Sequence, residues 1–278
     1  MMYLPVEQLH SRANSLVATF QHGGGTSCLD EAIVLDREAL ERCPPGHPKR
    51  PVSLTQLAIH LGDRYCQLGA TRDLEEAIAL NRESLDLRPQ GHPHRSTSLN
   101  GLAADLSIRY NHLGAMEDLD EAIVLEREAL DLHPQGHPNR STSLNNLAAD
   151  LSIRYNHLGA TDDLDEAIVL DREALHLRPL GHHDRSTSLN NLAVDLSARY
   201  KQLGAIEDLD EAIILDREAL HLRPQGRPDR SISLNNIANR VSTRYNHLGA
   251  TEDLDGPLSS TEKRSTFARR DTLIGQSL

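Results

Sequence analysis

Histidine is the residue of this chain that first invites a chemical role, since it binds metals and transfers protons. Fifteen of the 278 residues are histidine, and four of them recur in one "GHP"-type turn at intervals of 45 residues: His47, His92, His137 and His182. Zinc ligands converge within about 2 Å of one ion, so residues in separate turns cannot share a metal. We interpret the turn histidines as bonding local backbone. We predict no cofactor and no metal, and His176, His182 and His183 form the one local group that warrants a zinc titration.

Serine, histidine and aspartate are abundant, but no catalytic motif places them. The sequence has no nucleophile elbow and no HExxH helix, and "QHGGGT" at 21–26 lacks the GK of a phosphate loop. Instead, the twenty residues 141–160 repeat residues 96–115 with one change, Gly101 for Asn146. An active site needs each catalytic group only once. Near-verbatim duplication therefore favours architecture, and we predict that the chain is not an enzyme.

The duplication belongs to an array that spans almost the whole chain. The leucine of the "LDEAIVL" segment recurs every 45 residues, at Leu29, Leu74, Leu119, Leu164 and Leu209, with a broken copy at Leu254. We predict a half-repeat followed by five repeats over residues 1–255. Gly256 and Pro257 interrupt the sixth copy, and we predict that residues 256–278 are disordered.

Each repeat predicts two helices. Apolar residues at helical spacing indicate a helix A at about 142–157, in the stripe Leu144, Leu147, Ala148, Leu151, Tyr155 and Leu158. Serine or threonine before Leu144 is expected to cap its start, and Gly159 its end. Helix B is expected at about 163–177, where Asp163 and Glu166 match a capping box. Eleven helices follow, six of type A and five of type B, in an all-α solenoid.

Composition limits the partners and the compartment. The net charge of −12 disfavours nucleic acid, which needs clustered Lys and Arg. Three cysteines without a CxxC pair suit a reducing compartment. The sequence shows neither a signal peptide nor an apolar run long enough to span a membrane. We predict a cytoplasmic protein without membrane or nucleic-acid contact.

The "LNNLA" helix followed by "EAI…REAL…P" resembles the tetratricopeptide repeat, and is most similar to the kinesin-light-chain subtype. The resemblance covers roughly residues 6–255, although the repeat here has 45 residues and a longer helix A. The "GHPxRSxSLNNLA" segment also resembles fungal arrays that precede a caspase-like protease domain. The residues that match the family pattern are Leu144, Leu147, Ala148, Leu151, Ala167, Ala174 and Pro179. The resemblance implies a right-handed superhelix of antiparallel helix pairs.

The resemblance also implies that helix A lines a concave face that binds extended peptides. Carried over position by position, the groove residues are Asn100, Ala104, Ser107 and Asn111; Asn145, Ala149, Ser152 and Asn156; Asn190, Val194, Ser197 and Lys201; and Asn235, Asn239, Ser242 and Asn246. Amide side chains both donate to and accept from a peptide backbone. The alternative interpretation is that asparagine is merely tolerated near a helix start.

Charged residues also recur at helical spacing. Asp105–Arg109, Asp150–Arg154 and Asp195–Arg199 are four apart with the acid first, which predicts helix-stabilising pairs or, alternatively, a charged groove wall. The Arg–Glu pairs of helix B, such as Arg172–Glu173, recur in all five copies and are interpreted as scaffold.

The sequence therefore favours a non-enzymatic adaptor that binds an extended peptide or a partner helix on its concave face. The alternative is a sensor array within a larger effector whose protease-like domain is absent from this chain. A metal- or ligand-binding protein is the third hypothesis, which the histidine spacing does not support. Because Ile237, Val241 and Tyr245 keep the last helix A apolar, self-association at that end is also predicted.

Overall fold

The computed structural model describes residues 4–224 and 228–248, so the predicted tail at 256–278 lies outside the described residues. Within them the chain forms eleven helices and no strand, in agreement with the predicted six A and five B helices. The helices are α1 (Val6–Gln21), α2 (Ser27–Glu41), α3 (Arg50–Leu68), α4 (Thr71–Asp86), α5 (Arg95–Leu113), α6 (Met116–Asp131), α7 (Arg140–Leu158), α8 (Thr161–His176), α9 (Arg185–Leu203), α10 (Ile206–Leu222) and α11 (Pro228–Leu248).

The chain divides into two compact units, residues 1–191 and 192–278. In the first unit, consecutive helices pack as A–B pairs: α1 with α2, α3 with α4, α5 with α6 and α7 with α8. Each B helix from α2 to α6 also packs against the next A helix. In the second unit α10 packs against α11. The predicted all-α architecture of repeated helix pairs is confirmed.

The core of each repeat is the apolar stripe that the sequence predicts. Leu144, Leu147, Ala148 and Leu151 of α7 are at most 1% exposed, and burying each leucine stabilises the fold by roughly 1.5–3 kcal/mol. Leu158 is the exception, because it is 60% exposed at the last residue of α7, beyond the packed part of the helix. Its predicted place in the core stripe was wrong.

The ends of helix A are set by a glycine and an arginine. Gly159 adopts φ 71° and donates its N–H to Tyr155 O at 2.7 Å, so the predicted C-terminal cap is confirmed. The predicted serine or threonine N-cap was wrong, because α7 already begins at Arg140 and Asn139 makes no side-chain capping bond. Arg140 explains the earlier start: it donates to His133 O at 2.8 Å and to Glu173 at 2.6 Å, which fixes the first turn.

Arginines near the end of helix A connect three helices. Arg154 donates twice to Asp163 on α8, at 2.7 and 2.8 Å, and once to Asp120 on α6, at 2.9 Å. Asp163 is thus a salt-bridge partner and not part of the predicted capping box, which was wrong. The predicted Asp150–Arg154 pair was also wrong, because Arg154 is engaged by these other carboxylates. The same arrangement joins Arg64 to Asp73, Arg109 to Asp118 and Arg199 to Asp208.

The Arg–Glu pairs of the B helices form ties from one repeat to the next. Each arginine donates through one or two terminal nitrogens to both oxygens of a glutamate 39 residues further on, in the pairs Arg37–Glu76, Arg82–Glu121 and Arg127–Glu166. These glutamates are not those of the adjacent Arg–Glu dipeptides. The dipeptide glutamates accept from an arginine at the start of the preceding A helix, in the pairs Arg50–Glu83, Arg95–Glu128 and Arg140–Glu173. Both residues of the dipeptide thus make contacts within the fold, in agreement with their interpretation as scaffold. Because the side chains of the ties are partly exposed, each tie contributes only about 0.2–1 kcal/mol.

Candidate functional site

A cleft lies between the C-terminal ends of α5 and α7 and contains two of the predicted groove residues. Its volume is about 360 Å³. It is lined by Tyr110, Asn111, Gly114, Ile153, Asn156 and His157, and we call it the α5–α7 cleft. Asn111 and Asn156 are equivalent positions in consecutive repeats and both are exposed. The structure therefore brings together two amides that the sequence places 45 residues apart.

Local sequence explains how the cleft forms. The segment "RYNHLG" ends each of these A helices, and the left-handed Gly114 and Gly159 stop the helix three residues after the asparagine. Tyr110 is 8% exposed and meets the ring of His157 edge-on, with ring centroids 6.1 Å apart and an interplanar angle of 81°. This contact holds the α7 end against the α5 end, so the two amides project from a fixed base.

The lining of the α5–α7 cleft suits binding better than chemistry. Amide side chains offer both donors and acceptors, while Ile153 and Tyr110 add apolar surface. The cleft lining contains no serine, cysteine or carboxylate. The lining therefore combines hydrogen-bonding amides with apolar surface.

Other predicted groove residues fall into two groups in the structure. Those toward the C-terminal half of each A helix are exposed: Ala104, Asn111, Ala149, Asn156, Val194, Lys201, Asn239, Ser242 and Asn246. Asn235 near the start of α11 is exposed as well. Contact of these residues with a peptide stays a prediction.

Asn145 is placed in the core and not on the surface. It is 6% exposed, and its amide donates to Asp171 Oδ1 at 2.6 Å. Its oxygen accepts hydrogen bonds from Arg178 and from Ser188, the latter at 2.7 Å. The equivalent Asn100 and Asn190 are half-buried. These bonds join successive repeats, so Asn145 is not available to a ligand in this structure.

Two of the predicted groove serines, Ser107 and Ser197, are engaged within the fold. Ser107 donates to Asp150 Oδ2 of the next A helix at 2.7 Å. Ser197 accepts from Arg240 Nε at 2.5 Å, and Ser152 is half-buried. Like Asn145, the first two serve inter-repeat contacts, which explains why the same residue types recur.

Sequence reasoning missed a set of polar residues inside the core. One position on every B helix is polar and at most 3% exposed, occupied by Asp36, Asn81, Glu126, Asp171 and Asp216. Each lies within the apolar stripe of its helix, as Asp36 does three residues after Ile33 and three before Ala39. A polar residue recurring every 45 positions in such a stripe was the available signal. Burial of a polar group requires partners, and these differ between repeats.

The first polar layer consists of His10, Asp36 and His60. Nδ1–H of His10 donates to Asp36 Oδ1 at 3.0 Å, and Nδ1–H of His60 donates to Oδ2 at 2.5 Å. The far nitrogens are also engaged, by Ser53 at 3.0 Å and by Gln56 at 3.2 Å. Burial alone would raise the pKa of Asp36, but the two histidine hydrogen bonds outweigh it and lower the pKa.

The third polar layer consists of the residues 90 positions further along: Asn100, Glu126 and Asp150. Here two carboxyl groups share the interior without a basic partner. Burial first, and then the charge of Asp150, raises the pKa of Glu126 to about 9. Burial raises the pKa of Asp150 to about 6 despite the Ser107 hydrogen bond. Glu126 Oε2 and Asn100 Oδ1 have no hydrogen-bond partner among the described residues. The raised pKa of Glu126 favours its protonated form at neutral pH.

Two further layers use other chemistry. Asn81 donates to Asp105 Oδ2 at 2.8 Å, and burial raises the pKa of Asp105 to about 7. In the second unit, Arg240 forms a buried ion pair with Asp216. The repeats are thus nearly identical at apolar positions but individually distinct in their polar interior.

The turn histidines behave as the spacing indicates. Nδ1 of His47, His92, His137 and His182 accepts the backbone N–H two residues on, at 3.1–3.2 Å. Their interpretation as local backbone partners is confirmed. Among the described residues, one cluster has metal-ligand chemistry at close range, formed by His182, His183 and Asp184.

Comparison with known proteins identifies the repeat. A tetratricopeptide repeat family model matches residues 140–178 and 185–222, which correspond to α7–α8 and α9–α10. These two segments match the tetratricopeptide repeat, and the 45-residue period carries the same sequence pattern through the rest of the array. The predicted tetratricopeptide-like fold is confirmed by this match and by solved structures of TPR-like repeat proteins, whereas a link to a protease domain stays a prediction.

Solved structures share the fold. A Podosopora anserina protein described as a putative kinesin light chain with nearly identical TPR-like repeats has a TM-score of 0.54 at 22% identity, over 78% of this chain and 98% of that one. BtubC (BKLC) from P. vanneervenii has a TM-score of 0.56 at 19% identity, over 90% and 93% of the two chains. A thermophilic TPR protein from Thermus thermophilus has a TM-score of 0.57 at 18% identity, over 83% and 99%. No curated protein matches the chain in sequence.

None of the helices in the described part of the chain has the length and apolar character needed to cross a bilayer.

Proposed function

We propose that the chain is a non-catalytic adaptor that binds an extended peptide, or a partner's helix, along the exposed face of its A helices. The α5–α7 cleft is the observation that carries this proposal, because it sets Asn111 and Asn156 beside Ile153 on a fixed base. The tetratricopeptide repeat is typical of protein-interaction scaffolds. An asparagine from each repeat can form hydrogen bonds with the backbone of a peptide of any sequence. Neighbouring side chains would contact the peptide's side chains and so favour some peptide sequences over others.

Selection of a displayed peptide library on the chain tests the proposal. We expect enriched peptides to bind the wild type and to bind N111A/N156A at least about tenfold more weakly, a loss of about 1.4 kcal/mol. The matched control is N139A, which removes an equally exposed asparagine in the turn before α7. Equal loss in N139A, or no loss in the double variant, would contradict the proposal.

We also propose that α11 supports self-association. Leu234 is 50% exposed and Tyr245 is 42% exposed, whereas their equivalents Leu144 and Tyr110 are 0% and 8% exposed. Exposed apolar surface of this kind favours association. Light scattering should show a mass that rises with concentration and that falls to the monomer in L234S/Y245S. A concentration-independent monomer in the wild type would rule this out.

A further inference from the structure

We propose that the turn between α8 and α9 binds a divalent transition metal of the zinc class through His182, His183 and Asp184. One ligand atom from each residue lies within 4.8 Å of the others. Two imidazoles and a carboxylate are the donor types that zinc takes, leaving a fourth position for water. The inference is independent of the peptide-binding proposal, because this turn is separate from the α5–α7 cleft.

The same turn in the other repeats shows that the architecture does not need His183. Proline occupies the place of His183 in each of them, as Pro48, Pro93, Pro138 and Pro228. The turn is built by backbone bonds instead: His182 N–H donates to Pro179 O at 3.0 Å and Arg185 N–H to His182 O at 3.1 Å. Corresponding bonds form in the turn at His137. The histidine at 183 is therefore an addition to a turn that folds without it.

The side chains are arranged so that small rotations complete the site. The rings of His182 and His183 stack with centroids 4.6 Å apart, and His183 Nε2 lies 3.1 Å from Asp184 Oδ2. The side chain of His183 is 83% exposed and that of Asp184 is 43% exposed, so both can turn toward an ion. With metal–ligand distances of about 2.0–2.2 Å, donors around one ion lie about 3–4 Å apart, within a short movement of the present positions.

Existing hydrogen bonds predict how binding changes the turn. Nδ1 of His182 now accepts the backbone N–H of Asp184 at 3.1 Å, which leaves the proton of the neutral ring on Nε2. A metal at Nδ1 would replace that bond, and a metal at Nε2 would require the ring proton to move to Nδ1, which also removes the bond. Binding therefore shifts the environment of the Asp184 amide. Arg178 lies nearby, with a nitrogen 3.4 Å from Asp184 O, and its positive charge opposes the binding of a cation.

Calorimetric titration of the full chain with zinc chloride tests the proposal. The matched control is H183P/D184N, which reproduces the His-Pro-Asn of residues 137–139 and so keeps a turn that the chain already folds. We expect one micromolar zinc site in the wild type that is lost, or weakened at least tenfold, in the control. The control keeps every histidine of the chain except His183, so it reports adventitious binding.

Two further readouts separate a built site from general attraction. In ¹H–¹⁵N spectra, zinc should shift the Asp184 amide of the wild type before the Asn139 amide of the equivalent turn. Magnesium, which prefers oxygen ligands, should not compete. Equal zinc binding by wild type and control would overturn the proposal, as would displacement of zinc by equimolar magnesium. Neither result would bear on the peptide-binding proposal.

Discussion

The first and third polar layers occupy equivalent places in the array, but the carboxyl group of the B helix is ionised in the first and protonated in the third. In the first, Asp36 is ionised because His10 and His60 both donate to it. In the third, Glu126 has Asp150 as its neighbour, and its pKa rises to about 9. The backbone and the apolar residues around the two layers are nearly the same. The comparison shows that the repeat fixes where a polar group lies, whereas its partner decides whether that group is charged.

The two layers also respond to pH in opposite directions. The pKa of Asp36 is lowered on folding, so its contribution is present above its ordinary value of 3.8 and is lost as the pH falls. The pKa of Glu126 is raised from 4.5, so its contribution is fully present below 4.5 and is lost as the pH rises toward 9.

The largest effect is expected from removing the charge of the first layer. D36N replaces the acceptor of two charge-assisted hydrogen bonds in a fully buried site, and should lower the free energy of unfolding by about 2–4 kcal/mol. Urea denaturation at neutral pH measures it. E126Q is the matched exchange in the third layer and should cost less than about 1 kcal/mol, because Glu126 is already neutral. Equal losses in the two variants would contradict the comparison.

The second largest effect is expected in the pH dependence of the unfolding free energy, through Glu126 of the third layer. From about pH 5 to about pH 9, the unfolding free energy of the wild type should fall relative to that of E126Q, by at most about 1.4 kcal/mol per pH unit. Urea denaturation of both proteins across this range measures the difference. E117Q, at an exposed position of the same helix, is the control and should run parallel to the wild type. Parallel curves for E126Q would refute protonation of Glu126 in the fold.

A histidine at position 150 would give the third layer the same kind of partner that His60 provides in the first layer. D150H places an imidazole where His60 lies in the first layer, which should lower the pKa of Glu126 and flatten the pH dependence. The gain at neutral pH is expected to be about 1 kcal/mol, reduced by loss of the Ser107 hydrogen bond. The slope of the unfolding free energy against pH is the readout, and an unchanged slope would count against the role given to the partner.

The smallest effect is expected at the surface. R37Q removes one exposed Arg–Glu tie and should cost less than about 0.5 kcal/mol, with the loss shrinking as salt is added. Thermal unfolding at low and high salt measures it. If R37Q lowered the unfolding free energy as much as D36N does, burial would not explain why the polar layers contribute more to stability than the exposed ties.

Features that depend on near neighbours in the chain were predictable from the sequence. The helix pairs follow from apolar spacing, Gly159 from its place after the stripe, and the bonding of His137 from the turn. The recurring polar position on helix B was readable from the sequence, but its partners were not, because a carboxylate such as Glu126 lies 24 residues from Asp150 and only the stacking of three helices makes them neighbours. Asn145 was assigned to the groove for the same reason: its partner Asp171 comes from the following helix.

The one difference between the duplicated segments illustrates the same point. A side chain at Gly101 would bring its Cβ to 3.2 Å from the amide of Asn81, the residue that donates to Asp105. In the next copy Asn146 fills this position, where the B-helix residue is Glu126 and not asparagine. The sequence shows the change, but only the neighbouring helix gives its reason.

The exposed ties between B helices have a consequence for how such a chain changes over generations. Each tie joins an arginine to a glutamate 39 residues later in the next repeat. The tie therefore depends only on two adjacent repeats and not on the total number of repeats. In-frame loss or gain of one internal 45-residue block by recombination keeps this 39-residue spacing between the arginine of one repeat and the glutamate of the next. The gene can therefore lengthen or shorten the array in single steps, and each step leaves the contacts between the remaining repeats intact.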